Sequence, residues 1–182
     1  NAVEGFLHTR SQIQYNLRLF GWAVFMAAGN SLMEVLLRSK DIHIDNNIFL
    51  TLALGVLILN INADSKKRFV KNSLTRVLQV LLEIGVFIVG FIFAEGGNIV
   101  IPFMLITYLF RGSPKKRNLI YIIYAVILAA LSISDTFNYE DPMIALDMML
   151  YNSDWLFITV LPFMYLYNGE RGKNNKFTKY FF

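Results

Sequence analysis

Val77-Leu78-Gln79-Val80-Leu81-Leu82-Glu83-Ile84-Gly85-Val86-Phe87-Ile88-Val89-Gly90-Phe91-Ile92-Phe93-Ala94 is apolar except for Gln79 and Glu83. A helix rises about 1.5 Å per residue, and the hydrocarbon core of a bilayer is about 30 Å thick. A run of this length and character predicts a membrane-spanning helix. Two further apolar runs precede it, from about Leu17 to Leu37 and from about Asn47 to Ile61. Three follow it, from about Asn98 to Phe110, Leu119 to Ser134 and Trp155 to Tyr167. The expected fold is all-α, a polytopic transmembrane helix bundle with about six spans, forming one membrane-embedded domain over residues 1–182.

Composition agrees with this reading. Apolar residues make up 55% of the chain and charged residues only 16%, whereas soluble domains carry about 25% charge. A soluble helical protein of this hydropathy would lack the polar surface it needs. Tyr108, Trp155, Tyr165 and Tyr167 stand near the ends of the runs, where interfacial aromatics belong. The chain has no cysteine, which excludes disulfides, thiol nucleophiles and Cys-ligated zinc. Its net charge is a modest +4, and the basic residues flank apolar runs. A nucleic-acid partner is therefore not expected.

The charges also predict orientation. If all six runs cross, the connections alternate between two faces. One face then receives every Lys and Arg of the 17 except Arg38 and Lys40. The other holds Asp41, Asp45, Asp135, Glu140, Asp141, Asp147 and Asp154. Lys and Arg in short loops stay cytoplasmic, so the basic face and both ends of this chain are expected in the cytoplasm. On the acidic face, Pro142 opens a stretch through Leu150 that suits a short interfacial helix, because Pro is favourable at the first helical position.

Four polar features stand out. Glu4-Gly5-Phe6-Leu7-His8-Thr9-Arg10 groups a carboxylate, an imidazole and a guanidinium before the first span. If it is helical, Glu4 and His8 share a face, and the carboxylate can orient the ring as a general base. The bland alternative is a polar helix cap. Glu83 lies inside a span, where ionisable groups usually face the bundle interior. Its readings are a carboxyl that stays protonated, a pair with Arg18, or a structural interhelical hydrogen bond with Gln79. Asn168-Gly169-Glu170-Arg171-Gly172-Lys173 is a glycine-bearing turn whose backbone can approach a ligand, with cations suited to phosphate. Arg111-Gly112-Ser113-Pro114-Lys115-Lys116-Arg117 is a basic loop that suits anionic lipid, and it lacks the frame of a Walker A loop. His43 has no partner pattern.

Several of these stretches, in order, resemble blocks of the TraX family of polytopic membrane acetyltransferases. They are Glu4 to Ser11 with Tyr15 and Leu17-Arg18-Leu19, Asn46 to Gly55, Tyr108-Leu109-Phe110-Arg111, Tyr167 to Lys173 and Lys179-Tyr180-Phe181-Phe182. The resemblance implies acetyl-CoA as co-substrate, with no metal, and a bacterial plasma membrane as the location. It also implies an earlier span with an Asp-His-Ile-Gly segment and a closing Pro-Leu-His helix, so the chain reads as a member cut at both ends. The Ala27-Ala28-Gly29-Asn30 stretch departs from the pilin-modifying members.

On this reading His8, oriented by Glu4, or a His in the earlier span takes a proton from an acceptor amine or hydroxyl of a peptide or envelope glycan. Arg10, Arg18, Arg111, Lys115, Lys116, Arg117, Asn168, Gly169, Glu170 and Arg171 are expected to hold acetyl-CoA. Membrane lipid is the other expected partner. Two alternatives come from other classes. One is a small transporter or channel subunit with Glu83 on a polar path, though no inverted repeat is visible and only Pro102 and Pro162 interrupt the runs. The other is a structural membrane scaffold.

Overall fold

A computed structural model describes residues 2–37, 46–67, 73–136, 141–151 and 153–166. The described residues form α1 (Ala2–His8), α2 (Gln12–Leu36), α3 (Ile48–Lys67), α4 (Ser73–Phe93), α5 (Gly97–Leu109), α6 (Pro114–Thr136), α7 (Pro142–Tyr151), a 3-10 segment (Asp154–Thr159) and α8 (Val160–Leu166), with no strand among them. The fold is all-α, as expected. The chain divides into two compact units, Asn1–Arg117 and Asn118–Phe182.

In the first unit α3 is the central helix. It packs against α1, α2, α4 and α5, and Thr51, Ala53, Val56, Ile58, Leu59 and Ala63 are buried on it. A helix apolar all round belongs in such a place, because no face needs solvent. The core of this unit joins Val3 and Phe6 of α1, Leu19 of α2, Ala53, Val56, Leu59 and Ala63 of α3, and Met104 and Tyr108 of α5. The α4–α5 connection is tight. Gly96 takes the left-handed conformation, with φ 62°, and any Cβ on Gly97 would collide with the backbone of Gly90. Both positions therefore require glycine.

Local chemistry sets the helix starts. Ser11 has extended backbone angles and its Oγ accepts from the Gln14 N–H at 3.3 Å, the N-cap of α2. Asn47 caps α3 in the same way, its Oδ1 accepting from the Leu50 N–H at 3.2 Å. Asp141 Oδ1 accepts from the Met143 N–H at 2.8 Å beside Pro142, which begins the short helix expected there.

Hydrogen bonds at the two ends of this unit show how its helices alternate. Asn30, late in α2, donates to Asn46, just before α3, and the Asn47 N–H donates to Glu95, just after α4. At the opposite end Gln79, early in α4, donates to Ile61, late in α3, and the Tyr15 hydroxyl, early in α2, donates to Ala2 of α1. Arg10, Arg18, Arg76 and Arg111 belong to this second end by their place in the chain.

Three helices, Gln12–Leu36, Leu74–Phe93 and Pro114–Ser134, are long and apolar enough to cross a membrane. Leu17, Val24 and Phe25 on α2, Leu81, Ile88 and Ile92 on α4 and Val126 on α6 are exposed, which suits a hydrocarbon solvent. The other expected spans differ from expectation. Ile48–Ala63 and Gly97–Leu109 are shorter apolar helices, and the described part of the last run lies in a 3-10 segment continued directly by α8. There the 3-10 segment gives way to α8 at Val160, which puts Pro162 in the first turn of α8, where its missing N–H costs nothing. Joined to α7 across a 46° bend, this segment makes a fourth candidate span.

In the second unit, Tyr121 is fully buried and meets Phe157 edge to face at 6.2 Å, while Tyr124 lies 5.6 Å from the same ring. These aromatics join α6 to the 3-10 segment.

Candidate functional site

α1 is short, and its alternation of faces decides what it does. Val3 and Phe6 point inward and are fully buried, while Glu4 and His8 point outward. Three or four residues along a helix return to one face, so one side anchors and the other is offered to solvent. Phe6 meets the Tyr108 ring edge to face, with centroids 5.9 Å apart and planes at 73°. Arg111 lies over the Tyr108 ring, its guanidinium carbon 4.6 Å from the centroid, and its Nη1 donates to the Tyr108 carbonyl at 3.1 Å. The glycine within α1 has a local reason. The Tyr15 ring passes over Gly5, and its hydroxyl would stand 2.9 Å from any Cβ there.

His8 and Glu4 form the pair expected from their spacing. His8 Nδ1 lies 3.0 Å from the Glu4 carbonyl oxygen and 3.4 Å from Glu4 Oε2. A carbonyl oxygen only accepts, so the contact with the Glu4 carbonyl is a hydrogen bond in the tautomer that has its proton on Nδ1. In the neutral ring Nε2 is then the basic nitrogen, the tautomer suited to receiving a proton. The side chains are 78% and 53% exposed, so the pair contributes orientation rather than stability.

The other expected ligand residues are spread along the same end of the first unit. Arg10 and Arg18 are exposed, before and within α2. Lys115 and Lys116 are exposed and Arg117 half-buried. The stretch expected as a basic loop from Arg111 to Arg117 is loop only as far as Ser113. Pro114 to Arg117 form the first turn of α6, because Pro is pre-set for that position and the Arg117 N–H closes on the Ser113 carbonyl at 3.0 Å. The contacts bring Phe6, Tyr108 and Arg111 together. Asn168, Gly169, Glu170 and Arg171 lie outside the described residues, as does His43.

Comparison with protein-family models, with curated proteins and with solved structures finds no match.

Two polar arrangements were not anticipated in full. At the end away from α1, Asn47 is bonded on three sides. Its N–H donates to Glu95 Oε2 at 2.8 Å, its Nδ2 to the Ala23 carbonyl at 3.0 Å, and its Oδ1 caps α3. Thr51 Oγ1 adds a bond to the Glu95 carbonyl at 2.7 Å. The capping role of an Asn before an apolar run is readable in sequence, but the carboxylate from Glu95 is not. Within α4, Gln79 Nε2 donates to both the Ile61 carbonyl at 3.0 Å and Glu83 Oε1 at 2.9 Å. Of the two expected partners of Glu83, Gln79 is the one described. No group of three or more metal-ligating side chains occurs among the described residues.

Proposed function

We propose that this protein is an integral membrane acetyltransferase that moves an acetyl group from acetyl-CoA to an amine or hydroxyl of a peptide or envelope glycan. The observation that supports it is the contact of Phe6 with Tyr108 and of Tyr108 with Arg111. It joins two stretches that resemble TraX-family blocks, and it sets the helix bearing Glu4 and His8 at the same end as Arg111. In this reading His8 Nε2 accepts the proton of the acceptor as its nitrogen or oxygen attacks the thioester carbonyl. The carbon–sulfur bond then breaks, and the thiolate leaves with that proton. Arg10, Arg18, Arg111 and the cations of Lys115 to Arg117 hold phosphates of the donor, with Asn168 to Arg171 as the remaining proposed contacts. The location is a bacterial plasma membrane, with the basic end and both ends of this chain cytoplasmic.

The test is acetyl transfer by the full-length protein in lipid nanodiscs, with envelope peptides and glycans analysed by mass spectrometry. Acetyl-CoA is expected to raise the unfolding temperature, and His8→Ala is expected to keep that shift while lowering turnover about 100- to 10,000-fold. No shift at millimolar acetyl-CoA refutes the donor. Turnover unchanged by His8→Ala refutes the base.

A further inference from the structure

A second concave feature lies between α2 and α3 and is independent of the acetyl-transfer reading. It is a groove of about 410 Å³ lined by Trp22, Phe25, Met26, Gly29, Asn30 and Phe49, within the range of about 300–1,000 Å³ typical of small-molecule sites. Its walls are aromatic. Trp22 stacks on Phe49 with centroids 6.1 Å apart and meets Phe25 edge to face at 5.6 Å. Gly29 leaves a notch, because nothing lies within 4 Å of where its Cβ would be. The groove runs along α2, a helix long and apolar enough to cross a membrane, and Trp22 and Phe25 of its lining are exposed. Hydrocarbon is then the medium into which it opens.

Polar groups gather toward one end. Asn30 Nδ2 donates to the Asn46 carbonyl at 2.7 Å, and the adjoining Asn47 N–H donates to Glu95 Oε2. Glu95 is exposed, and its bond to Asn47 uses one of its two carboxylate oxygens. The feature thus passes from an aromatic trough to an exposed anion, the pattern of an amphiphile with a hydrocarbon chain and a cationic head. A peptide segment suits it less well. The Asn30 amide and the Trp22 indole N–H are the polar side-chain groups of the lining, too few to satisfy the repeated N–H and C=O groups of a backbone in lipid. We propose that this groove holds an acyl chain of a membrane phospholipid whose primary-amine head group lies beside Glu95.

The test uses the protein in nanodiscs of phosphatidylethanolamine and phosphatidylglycerol, with a trace of either lipid carrying a photoactivatable group on its acyl chain. Adducts are located by peptide mass spectrometry. Labelling is expected on the segment from Trp22 to Asn30 and at Phe49, and more strongly from the ethanolamine lipid. Gly29→Phe places a ring in the notch without meeting backbone, and it is expected to lower this labelling about tenfold. Gly21→Phe, on the same helix and equally unobstructed, is expected to leave it unchanged. Glu95→Gln keeps an acceptor for the Asn47 N–H and removes the charge, so it should erase the head-group preference and spare chain labelling. Labelling spread evenly along α2, or indifferent to Gly29→Phe, overturns the site. Crosslinks joining two copies through Trp22 and Phe49 overturn the lipid in favour of a second copy. Equal labelling by both lipids in the unaltered protein overturns the role of Glu95.

Discussion

Phe6 and Tyr108 meet edge to face at 5.9 Å, and this contact ties the first helix to the last turn of α5. Phe6 is fully buried. Truncating it removes apolar contact from both α3 and α5 and leaves a cavity. Phe6→Ala is expected to lower stability by about 3 kcal/mol. Phe6→Leu keeps most of the volume and loses the ring pair, so it is expected to cost about 1 kcal/mol. Thermal unfolding in detergent measures both. If α1 instead packs loosely, the two substitutions will be indistinguishable from the unaltered protein.

Gly5 and Tyr15 make a second, steric tie between α1 and α2. A methyl group at Gly5 meets the Tyr15 hydroxyl at 2.9 Å and the adjoining ring carbon at 3.2 Å. The ring must shift, and the bond from the hydroxyl to the Ala2 carbonyl at 3.4 Å is strained or lost with it. Gly5→Ala is expected to cost about 1–3 kcal/mol as an overpacked contact. In a Tyr15→Leu background the same change should cost much less. A double-mutant cycle reads this coupling, and simple additivity would argue against the contact.

These two contacts mark how far sequence reading reaches. The helices α2, α4 and α6 were legible because hydropathy is a property of a run, and their runs are long. The start of α7 at Pro142 followed from the preference of Pro for a first turn, whereas the caps at Ser11, Asn47 and Asp141 came only with the structure. The pair of Glu4 with His8 followed from helical spacing alone. The meeting of Phe6 with Tyr108 did not, because no local period links α1 to α5. Nor did the bend between α7 and the 3-10 segment. The run from Trp155 carries no signal for the change from 3-10 to α geometry at Val160, which leaves Pro162 in a first turn. The central place of α3 comes from packing, and a buried helix and a short span read alike in sequence.

Asn47 concentrates three bonds in one side chain and its backbone. Asn47→Ala removes the cap of α3 and the bond to the Ala23 carbonyl together, with an expected loss of about 2 kcal/mol. Asn47→Asp separates the two roles. A carboxylate still caps the helix, but it has no donor for the Ala23 carbonyl, so two acceptors face each other. The aspartate variant is expected to be less stable than the wild type despite its capping ability. Chemical unfolding in mild detergent would settle the order, and an aspartate variant as stable as the wild type would deny the bond between α2 and α3.

Gln79 spends its amide on two acceptors, Ile61 and Glu83, within a helix long enough to cross a membrane. An amide has two hydrogens, so this arrangement uses both. Gln79→Leu leaves both acceptors short of a donor and is expected to cost about 1 kcal/mol. Gln79→Glu is worse. It removes the donors and sets a second carboxyl group one turn from Glu83, so the bonds to both Ile61 and Glu83 are lost. Glu83→Gln has the opposite sense. Its oxygen still accepts from Gln79 and the ionisable group leaves the span, so stability should hold or rise. The same variant addresses the transporter alternative. If Glu83 is only the acceptor of a structural bond, Glu83→Gln leaves activity unchanged in every assay of the reconstituted protein. If liposome flux exists and vanishes in Glu83→Gln, the carboxylate carries charge along a path, and the transport reading displaces the enzymatic one.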